Sequence, residues 1–507
     1  MSQAFQWARL FELGDRPALP LQTRLRGAVV QAIAEGRLGA GAALPSSREL
    51  ATQLGISRNT VTAAYAQLVD EGFLEARPRS GVFVAAEPLP PRVAAAEVGR
   101  PAEPAERRAP EWAARTRRSL RGRPTLAKPD RWREEPYPFV YGTHDPELFP
   151  TDDFRECCMR SLARSQLPHW TPDLETGDVP ELVEQIRTRV LPQRGVFALA
   201  DEILLTVGTQ HAFYLLAEAL FGASTRIGLE EPGHPHARNS FALRRPRIVP
   251  LPVDADGLVV DALPPLDYAF VTPSHQSPTT ATLPLDRRER LLRRAEQADF
   301  VVIEDDYEAE NLHAGAPMPA LKSLDRSGRV VYVGSVSKSL SPALRLGYVV
   351  ASRELVADLR ELRHAMVRHP SAFLQHAYAL FLSLGHHASH ARRANQVMGE
   401  RLRAAATTLR AVLPSFEFVL PSGGASLWVR APDWVDTAEL ATLARGHGVL
   451  IEAGHVFFVR PPYPCPYFRL RLSSIGAERI PAGIRALAAA FDELASARGE
   501  RPRTPAH

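Results

Sequence analysis

Residues 333–347 read VGSVSKSLSPALRLG, and this stretch indicates both a fold class and a chemistry. Its first residues complete an apolar run, 330–334, of the kind that forms buried β-strands. Lys338 follows the carboxyl end of that run among several serines, and Arg345 comes seven residues later. An amine, hydroxyl groups and a guanidinium just beyond a strand end predict a ligand site in an α/β protein.

Six further apolar runs share this pattern, and helix-length segments separate most of them. Apolar runs with polar or glycine-bearing ends are expected of a sheet that is buried on both faces, so the sequence predicts one large, mostly parallel sheet of seven strands. A long helical stretch, about 354–412, leads to a smaller α+β part, about 413–497. The seven predicted strands are Ile203–Val207, Ile227–Leu229, Ile248–Leu251, Tyr268–Val271, Phe300–Ile303, Val330–Gly334 and Gly347–Val350.

Two other strand ends carry the remaining groups of this ligand site. The run VIEDDY (302–307) places carboxylates and a phenol at one strand end, and TVGTQ (206–210) leads through a glycine into a helix, which is a ready anion site. Pyridoxal phosphate needs an amine for its Schiff base, a carboxylate for its pyridine nitrogen, a phenol for O3′ and an anion site for its phosphate. The sequence therefore predicts pyridoxal 5′-phosphate as the cofactor.

The order of these motifs resembles that of the fold-type I aminotransferases, and more narrowly that of the MocR/GabR group of transcription factors. That group joins a GntR-type winged helix to an aminotransferase-like domain. The resemblance implies that Lys338 forms the Schiff base, that Asp305 pairs with the pyridine nitrogen and that Tyr307 contacts O3′. Arg469, in YFRLRLSS (467–474), would hold an effector's α-carboxylate, a task that suits a fork of donors. The residues expected to bind the phosphate are Gly208, Thr209, Gln210, Ser335, Ser337 and Arg345.

Two of these assignments leave an alternative open. Asp306 is adjacent to Asp305 and lies within reach of the aspartate role. Arg471 is the alternative to Arg469, because both belong to the same motif.

The residues expected around the cofactor ring depart from the family pattern. His234, in EPGHPH (231–236), stands where the family usually has an aromatic side chain stacked on the ring, and an imidazole can also stack. The loop TPSHQSPTT (272–280) resembles the family's loop under the ring but ends in Thr280 where glycine is usual. His275 and Gln276 are the candidate ring contacts in this loop.

The N-terminal 86 residues predict a winged helix-turn-helix, which is three short helices followed by a hairpin. The strings LPSSRELA (44–51), LGISRNTV (54–61) and AYAQLVDEGFL (64–74) resemble the DNA-binding domain of GntR-type repressors. Helix N-termini suit phosphate, the first turn of the second helix of the motif suits base edges, and arginines of the wing suit the backbone or minor groove. The residues expected to contact DNA are Arg48, Ser57, Arg58, Asn59, Thr60, Thr62, Arg77 and Arg79.

Residues 87–136 read as a linker between these two parts. They include nine prolines, 12 basic and 8 acidic residues and almost no aliphatic periodicity, so an extended tether is expected. The alternative is a helical hairpin between Glu111 and Arg121. The predicted domains are thus 1–86, the DNA-binding domain, 87–136, the linker, and 137–507, the aminotransferase-like domain.

Composition excludes several classes of protein. Of 507 residues, 45% are hydrophobic and 23% charged, which is normal for globular domains and excludes disorder over most of the chain. No apolar run approaches the ~18 residues of a membrane helix, and the N-terminus lacks a secretory signal, so a cytoplasmic protein is expected. Three cysteines, two of them adjacent, cannot form a disulfide framework or a thiolate zinc site, and no metal is expected.

Together the two ends predict a cytoplasmic regulator of transcription that binds double-stranded operator DNA and senses a small amine or amino acid. The effector would displace Lys338 from the cofactor. By resemblance the protein would be a homodimer, domain-swapped, and regulators of this group answer to compounds that include γ-aminobutyrate, taurine and pyridoxal phosphate. The alternative is a working aminotransferase with an accessory DNA-binding domain. A DNA-binding protein with a degenerate sensory domain is disfavoured because Lys338, Asp305 and Arg345 are all present.

Overall fold

The structure is a computed structural model that describes residues 7, 10–11, 19–86, 112–116, 118–126, 128–141, 145–174, 177–308, 310–315, 318–335 and 340–500. The chain divides into two units, Met1–Arg115 and Thr116–His507, each with its own hydrophobic core. Within the described ranges, no helix combines the length and apolar character needed to cross a bilayer.

The first unit contains the predicted winged helix-turn-helix. Its elements are α1 (Leu21–Ala34), α2 (Ser47–Leu54), α3 (Arg58–Asp70), β1 (Leu74–Arg77) and β2 (Gly81–Val84), followed by a short helix, α4 (Trp112–Arg115). Serines cap two of these helices: Ser46 accepts from the Glu49 N–H at 3.2 Å at the start of α2, and Ser57 accepts from the Thr60 N–H at 3.1 Å at the start of α3. Gly55 ends α2 with a φ of 64°, which favours glycine. The apolar faces of all three helices close one core with the hairpin.

The second unit is built on one large sheet that contains all seven predicted strands. The strands are β4 (Ile203–Thr206), β5 (Arg226–Glu231), β6 (Arg247–Asp254), β8 (Tyr268–Val271), β9 (Val301–Asp306), β10 (Val330–Ser335) and β11 (Gly347–Val350), with a short eighth strand, β7 (Gly257–Leu258). Their order across the sheet is β4-β11-β10-β9-β8-β5-β6-β7. The sequence analysis missed β7 because two residues carry no periodic signal.

Strand direction brings the predicted site residues to one edge of this sheet. β10, β9, β8, β5 and β6 are parallel, and β11 is antiparallel to both β10 and β4. Six strands therefore end at the same edge, and β11 begins there. This reversal is why Arg345, which precedes β11, lies beside residues that follow the other strands.

Helices cover both faces of the sheet and lead to the smaller part. They are α5 (Thr151–Ser161), α6 (Pro180–Gln185), α7 (Gly208–Leu220), α8 (Pro235–Ala242), α9 (Leu285–Ala298), α10 (Leu321–Leu324), α11 (Arg353–Val367), α12 (Ala372–Ser383) and α13 (His386–Val412). The predicted helical stretch from 354 to 412 is thus three helices, α11 to α13.

The smaller part packs two helices on a four-stranded sheet of order β12-β13-β16-β15. Its elements are β12 (Glu417–Phe418), β13 (Ser426–Arg430), α14 (Thr437–Gly446), β14 (Val449–Leu450), β15 (Glu452–Ala453), β16 (Tyr467–Arg471) and α15 (Ile480–Ala497). Its core also includes Phe139 and the second half of α13. Residues that precede the large sheet in the sequence and residues that follow it therefore both contribute to this core.

The end of the predicted linker packs on the second unit instead of remaining a free tether. Residues 118–126 and 128–136 are described there, with a 3₁₀ turn at Trp132–Glu134. The next residues form β3 (Tyr137–Pro138), which pairs in parallel with β14. The alternative helical hairpin is not formed as expected: α4 ends at Arg115, and residues 118–121 are not helical. The boundaries at 86 and 136 remain predictions.

Candidate functional site

A cavity of about 250 Å³ lies at the sheet edge where the strands end, and residues from distant parts of the sequence line it. Six of the predicted site residues are among its lining: Thr209, Gln210, His234, Tyr307, Arg345 and Arg469. The other lining residues are Leu126, Tyr141, Pro235, His236, Ser277, Phe457 and Arg471. Two predicted residues, Ser337 and Lys338, lie outside the described residues.

At the predicted anion site, the start of α7, the start of β11 and the guanidinium of Arg345 lie close together. Arg345 donates from Nη2 to the Val207 carbonyl at 3.0 Å. A Cβ added at Gly208 would lie 3.0 Å from the Arg345 Cζ, and one added at Gly347 would lie 2.9 Å from the Gly208 carbonyl carbon. Gly208 also has a φ of 71°. Glycines at both positions therefore allow the N–H groups of the first turn of α7 to lie next to Arg345, which suits a phosphate.

Two of the other predicted phosphate ligands are placed differently by their contacts. The Gln210 side chain donates to the His236 carbonyl at 3.2 Å and contacts Ser240, so this side chain ties α7 to α8. The Gln210 main-chain N–H remains in the first turn of α7. Ser335 is the last residue of β10, opposite Gly347, and is half-buried outside the cavity lining.

Asp305 and Asp306 point to opposite faces of the sheet because they are consecutive in β9. Asp306 accepts from Arg194 Nε and from the Tyr332 hydroxyl, both at 2.8 Å. The nearby Arg194 keeps the pKa of Asp306 low although burial alone would raise it. Asp306 is thus held in an ion pair, and Asp305, which is 2% exposed, is the carboxylate on the other face.

Tyr307 follows β9 and supplies a phenol to the cavity. Burial raises its pKa, and the Glu308 carboxylate raises it further, so the phenol keeps its proton at neutral pH. A protonated phenol can donate a hydrogen bond to an oxygen anion in the cavity.

The two histidines expected near the ring have different surroundings. His234 lines the cavity and caps α8, where its Nδ1 accepts from the Ala237 N–H at 3.1 Å. His275 is 5% exposed and packs against the smaller part, where a Cβ added at Gly423 would lie 2.3 Å from its Cε1. The structure thus places His234 at the cavity and His275 behind it.

The neighbouring Gln276 holds its own loop together. Its Nε2 donates to Glu230 at 3.1 Å and to the Pro232 carbonyl at 2.8 Å, and its Oε1 accepts from the Thr279 N–H at 3.0 Å. Thr280, where glycine is usual, has a φ of 64°, so the loop keeps the left-handed turn despite the substitution. Gln276 is therefore a loop residue and not part of the cavity lining.

Arg469 and Arg471 both line the cavity from one face of β16, but their contacts differ. Arg471 is held by Glu308, by Ser426 Oγ at 3.2 Å and by Ser473 Oγ at 3.3 Å. Its guanidinium is thereby used for positioning.

Arg469 has a freer guanidinium. Its Nε donates to Glu452 Oε2 at 2.6 Å, and its Cζ lies 4.7 Å from the centroid of the Phe457 ring. Its two Nη groups form no hydrogen bond with any residue in the part of the chain that the structure describes. They can therefore hold a carboxylate that enters the cavity.

Sequence reasoning missed several residues that shape this cavity. Leu126 comes from the predicted linker, Tyr141 follows β3, and Glu452 and Phe457 come from the smaller part. None belongs to a recognisable motif. The pairing of Glu452 with Arg469 depends on the register of β15 and β16, where the two residues are opposite each other.

In the first unit, the predicted DNA-contacting residues of the helices form a polar surface around the start of α3. Arg48, Ser57, Arg58, Asn59 and Thr62 are exposed, and Thr60 is half-buried. Arg58 Nε lies 3.5 Å from Ser47 Oγ, so the N-terminal ends of α2 and α3 are close together. Two helix N-termini with exposed donors suit a phosphate backbone and the adjacent groove.

The two arginines of the wing differ in freedom. Arg77 donates from Nε to Glu75 at 2.9 Å, and its Cζ lies 4.5 Å from the Phe83 ring centroid. Arg79, with a φ of 62°, is exposed at the turn between β1 and β2. Arg79 is therefore the wing residue whose side chain is available for a partner.

Two protein families match the two parts of this chain. Residues 21–84 match the family described as bacterial regulatory proteins, gntR family, and residues 175–487 match aminotransferase class I and II. The chain is 42% identical over 476 residues to the HTH-type transcriptional regulator TauR of Rhodobacter capsulatus, a match that covers 93% of this chain and 96% of that protein. It is 32% identical to the probable rhizopine catabolism regulatory protein MocR of Rhizobium meliloti, over 95% of this chain and 96% of that one.

A solved structure shows the same aminotransferase fold as the second unit. The α-aminoadipate aminotransferase LysN of Thermus thermophilus, complexed with N-(5′-phosphopyridoxyl)-L-leucine, aligns with a TM-score of 0.66 and 28% identity, over 71% of this chain and 92% of that one. The fold of the second unit is therefore that of an aminotransferase, and the pairing of this fold with a GntR-type domain is found in full-length regulators.

Proposed function

The chain belongs to the MocR-type transcriptional regulators, which join a GntR-type helix-turn-helix domain to an aminotransferase-like domain, and we propose that it controls transcription in response to an amine or amino acid bound at pyridoxal 5′-phosphate. The observation that carries this proposal is the cavity at the strand ends. It brings six predicted cofactor and effector residues together although five separate motifs supply them.

The residues at this cavity fit the proposed cofactor. The phosphate would lie between the start of α7 and Arg345, in the space that Gly208 leaves free of a side chain. Tyr307 would donate to the ring oxygen, His234 would stack on the ring, and Asp305 would face its nitrogen. A helix N-terminus with a guanidinium suits a phosphate dianion, and a buried carboxylate suits a protonated pyridine nitrogen. Lys338, three residues beyond β10, would hold the cofactor covalently.

Arg469 is the proposed effector residue. When bound, pyridoxal phosphate supplies an aldehyde carbon that combines with primary amines. Arg469 would orient the effector by holding its carboxylate, and Glu452 keeps the guanidinium in place through the 2.6 Å bond to Nε. A sulfonate is an anion with similar acceptor geometry, so an amine that carries a sulfonate would also fit.

GntR-type regulators bind DNA, and we place the DNA contacts of this chain on the exposed residues at the start of α3 and on the wing. The protein would act in the cytoplasm as a homodimer, with two DNA-binding units on one operator. A domain-swapped arrangement of the two chains would agree with a linker of this length.

The covalent link can be tested because the chain contains only three lysines, Lys128, Lys322 and Lys338. Purified protein should be yellow, and borohydride reduction followed by peptide mass analysis should find the phosphopyridoxyl group on Lys338. Lys338→Ala should lose the adduct. Lys322→Ala should retain it, because Lys322 is not part of the cavity lining and its Nζ donates to the Val330 carbonyl at 2.7 Å. An adduct on Lys128, or none at all, would contradict the assignment.

A further inference from the structure

The chain that leads from the DNA-binding unit into the second unit forms part of the cavity wall. We name residues 118–126 and 128–141 the connecting segment. Leu126 and Tyr141 of this segment line the cavity. Asn239 donates from Nδ2 to the Pro124 carbonyl at 2.9 Å, so the segment is also attached to α8, the helix that begins next to His234. The segment therefore touches the place where a cofactor and effector would lie.

A single carboxylate joins this segment to the effector arginine. Glu452 accepts the main-chain N–H of Tyr141 on Oε1 at 2.9 Å and the Nε of Arg469 on Oε2 at 2.6 Å. Glu452 and Arg469 are each 7% exposed. An anionic effector at Arg469 would bring a second negative charge near Glu452, and like charges repel strongly in a buried site. The bond from Glu452 to Tyr141 should therefore respond to occupancy of Arg469.

Lys128 provides a further contact within the segment. Its Nζ lies 4.9 Å from the centroid of the Trp132 ring and 5.4 Å from that of the Tyr141 ring, distances typical of cation–π contacts. Burial lowers the pKa of Lys128, and the charge of Glu452 opposes that change. Lys128 thus lies near Tyr141, whose main-chain N–H binds Glu452, so the reactivity of its amine should follow the position of the segment.

We propose that the connecting segment is part of the effector site and that Leu126 helps to select the effector's side chain. Binding of an effector at Arg469 then affects the DNA-binding unit through Glu452, Tyr141 and this segment. The inference rests on the proposed function, since it requires an effector in the cavity. Its physical reason is that the segment is the covalent route from the cavity to α4, so a change in how it is held changes the constraint on the first unit.

Lysine footprinting tests the link directly. The full-length protein, prepared without cofactor, would be treated with acetic anhydride, first alone and then with saturating N-(5′-phosphopyridoxyl)-L-leucine, which fills the cofactor and effector positions together. The rate of acetylation at Lys128 should change at least about fivefold when the compound binds. Lys322 is the internal control, and its rate should remain within about twofold.

Two results of this experiment would count against the proposals in distinguishable ways. If the compound binds, as followed by its absorbance after gel filtration, and Lys128 reacts at an unchanged rate, the inference about the segment is wrong and the proposed function stands. If the compound does not bind at all, the proposed function is wrong, and the inference is lost with it.

Side-chain selection is tested with two variants of the same segment. Leu126→Ala removes a cavity-lining side chain, whereas Leu120→Ala removes an exposed leucine that does not line the cavity. The ratio of affinities for phosphopyridoxyl-leucine and phosphopyridoxyl-alanine should shift by about fivefold in Leu126→Ala and stay within about twofold in Leu120→Ala. An equal ratio in both variants would remove Leu126 from the effector site.

Discussion

At the scale of single residues, the site depends on which of two similar side chains is already engaged. Asp306 is held by Arg194 and Tyr332, which leaves the opposite face of β9 to Asp305. Arg471 is held by three side chains, whereas Arg469 has two Nη groups that no described residue binds. Adjacent or alternate positions in one motif thus differ in the contacts that their neighbours make, and sequence alone left both choices open.

Glu230, a buried carboxyl on β5, gives the fold a pH dependence. It accepts from the Thr272 hydroxyl at 2.5 Å and from Gln276 Nε2 at 3.1 Å, and burial raises its pKa to about 7. Because the folded state then binds a proton that the unfolded state releases above pH ~4.5, the contribution of Glu230 to stability falls as pH rises from about 4.5 to about 7 and does not change further above that.

We therefore expect Glu230→Gln to reduce this pH dependence, since an amide can accept the same hydrogen bonds without a charge. Thermal unfolding of both proteins at pH 5 and pH 8 measures the effect. The melting temperature of the wild type should fall more between pH 5 and pH 8 than that of the variant. Equal losses would show that Glu230 does not titrate in this range in the folded state.

At the scale of elements, the sequence predicted most of what positions the site. The seven strands were visible because each is a short apolar run with a polar or glycine-bearing end. The packing of residues 118–136 on the second unit was not predicted. Their proline- and arginine-rich composition predicts a soluble, stiff segment. It does not predict contacts such as that of Asn239 with Pro124, because these depend on elements that are far away in the sequence.

The start of α3 and the wing should contribute differently to DNA binding. Arg58 is exposed in the first turn of α3 and Arg79 at the tip of the wing, so we expect Arg58 to read a base and Arg79 to contact the backbone or minor groove. Arg58→Ala should cost about 1–3 kcal/mol on the operator and relax specificity at one base pair. Arg79→Ala should weaken binding to all sequences about equally.

Competition binding at a fixed salt concentration, with operator and random DNA, distinguishes these roles. The same loss on both DNAs for Arg58→Ala would make Arg58 a phosphate contact.

At the scale of the whole molecule, the connecting segment joins the DNA-binding unit to the proposed sensor. An effector can change DNA affinity only if it binds two states of the protein unequally, so the cavity must differ between them. The connecting segment offers such a difference because it contacts Glu452, which also binds the cavity residue Arg469, and Asn239, which belongs to the helix that follows His234. An aminotransferase fold retained with its cofactor groups would then serve recognition of amines, whether or not the amino group is transferred.

The measurement that bears most directly on this account is operator affinity with and without an amine, in the wild type and in Arg469→Ala. Amines and amino acids, including taurine and γ-aminobutyrate, would be tested against both the cofactor absorbance and the operator. Arg460→Ala, which removes an exposed arginine outside the cavity lining, is the matched control. Losing a charge-assisted contact in a buried site costs roughly 2–4 kcal/mol, about 30- to 1000-fold in effector affinity.

The account predicts that at least one compound changes both signals in the wild type and in Arg460→Ala. In Arg469→Ala the protein should stay yellow and bind its operator with unchanged affinity, but the effector should act only at concentrations higher by that factor. An undiminished response in Arg469→Ala would contradict the account, as would rapid transamination over many turnovers with no effect of any compound on operator binding.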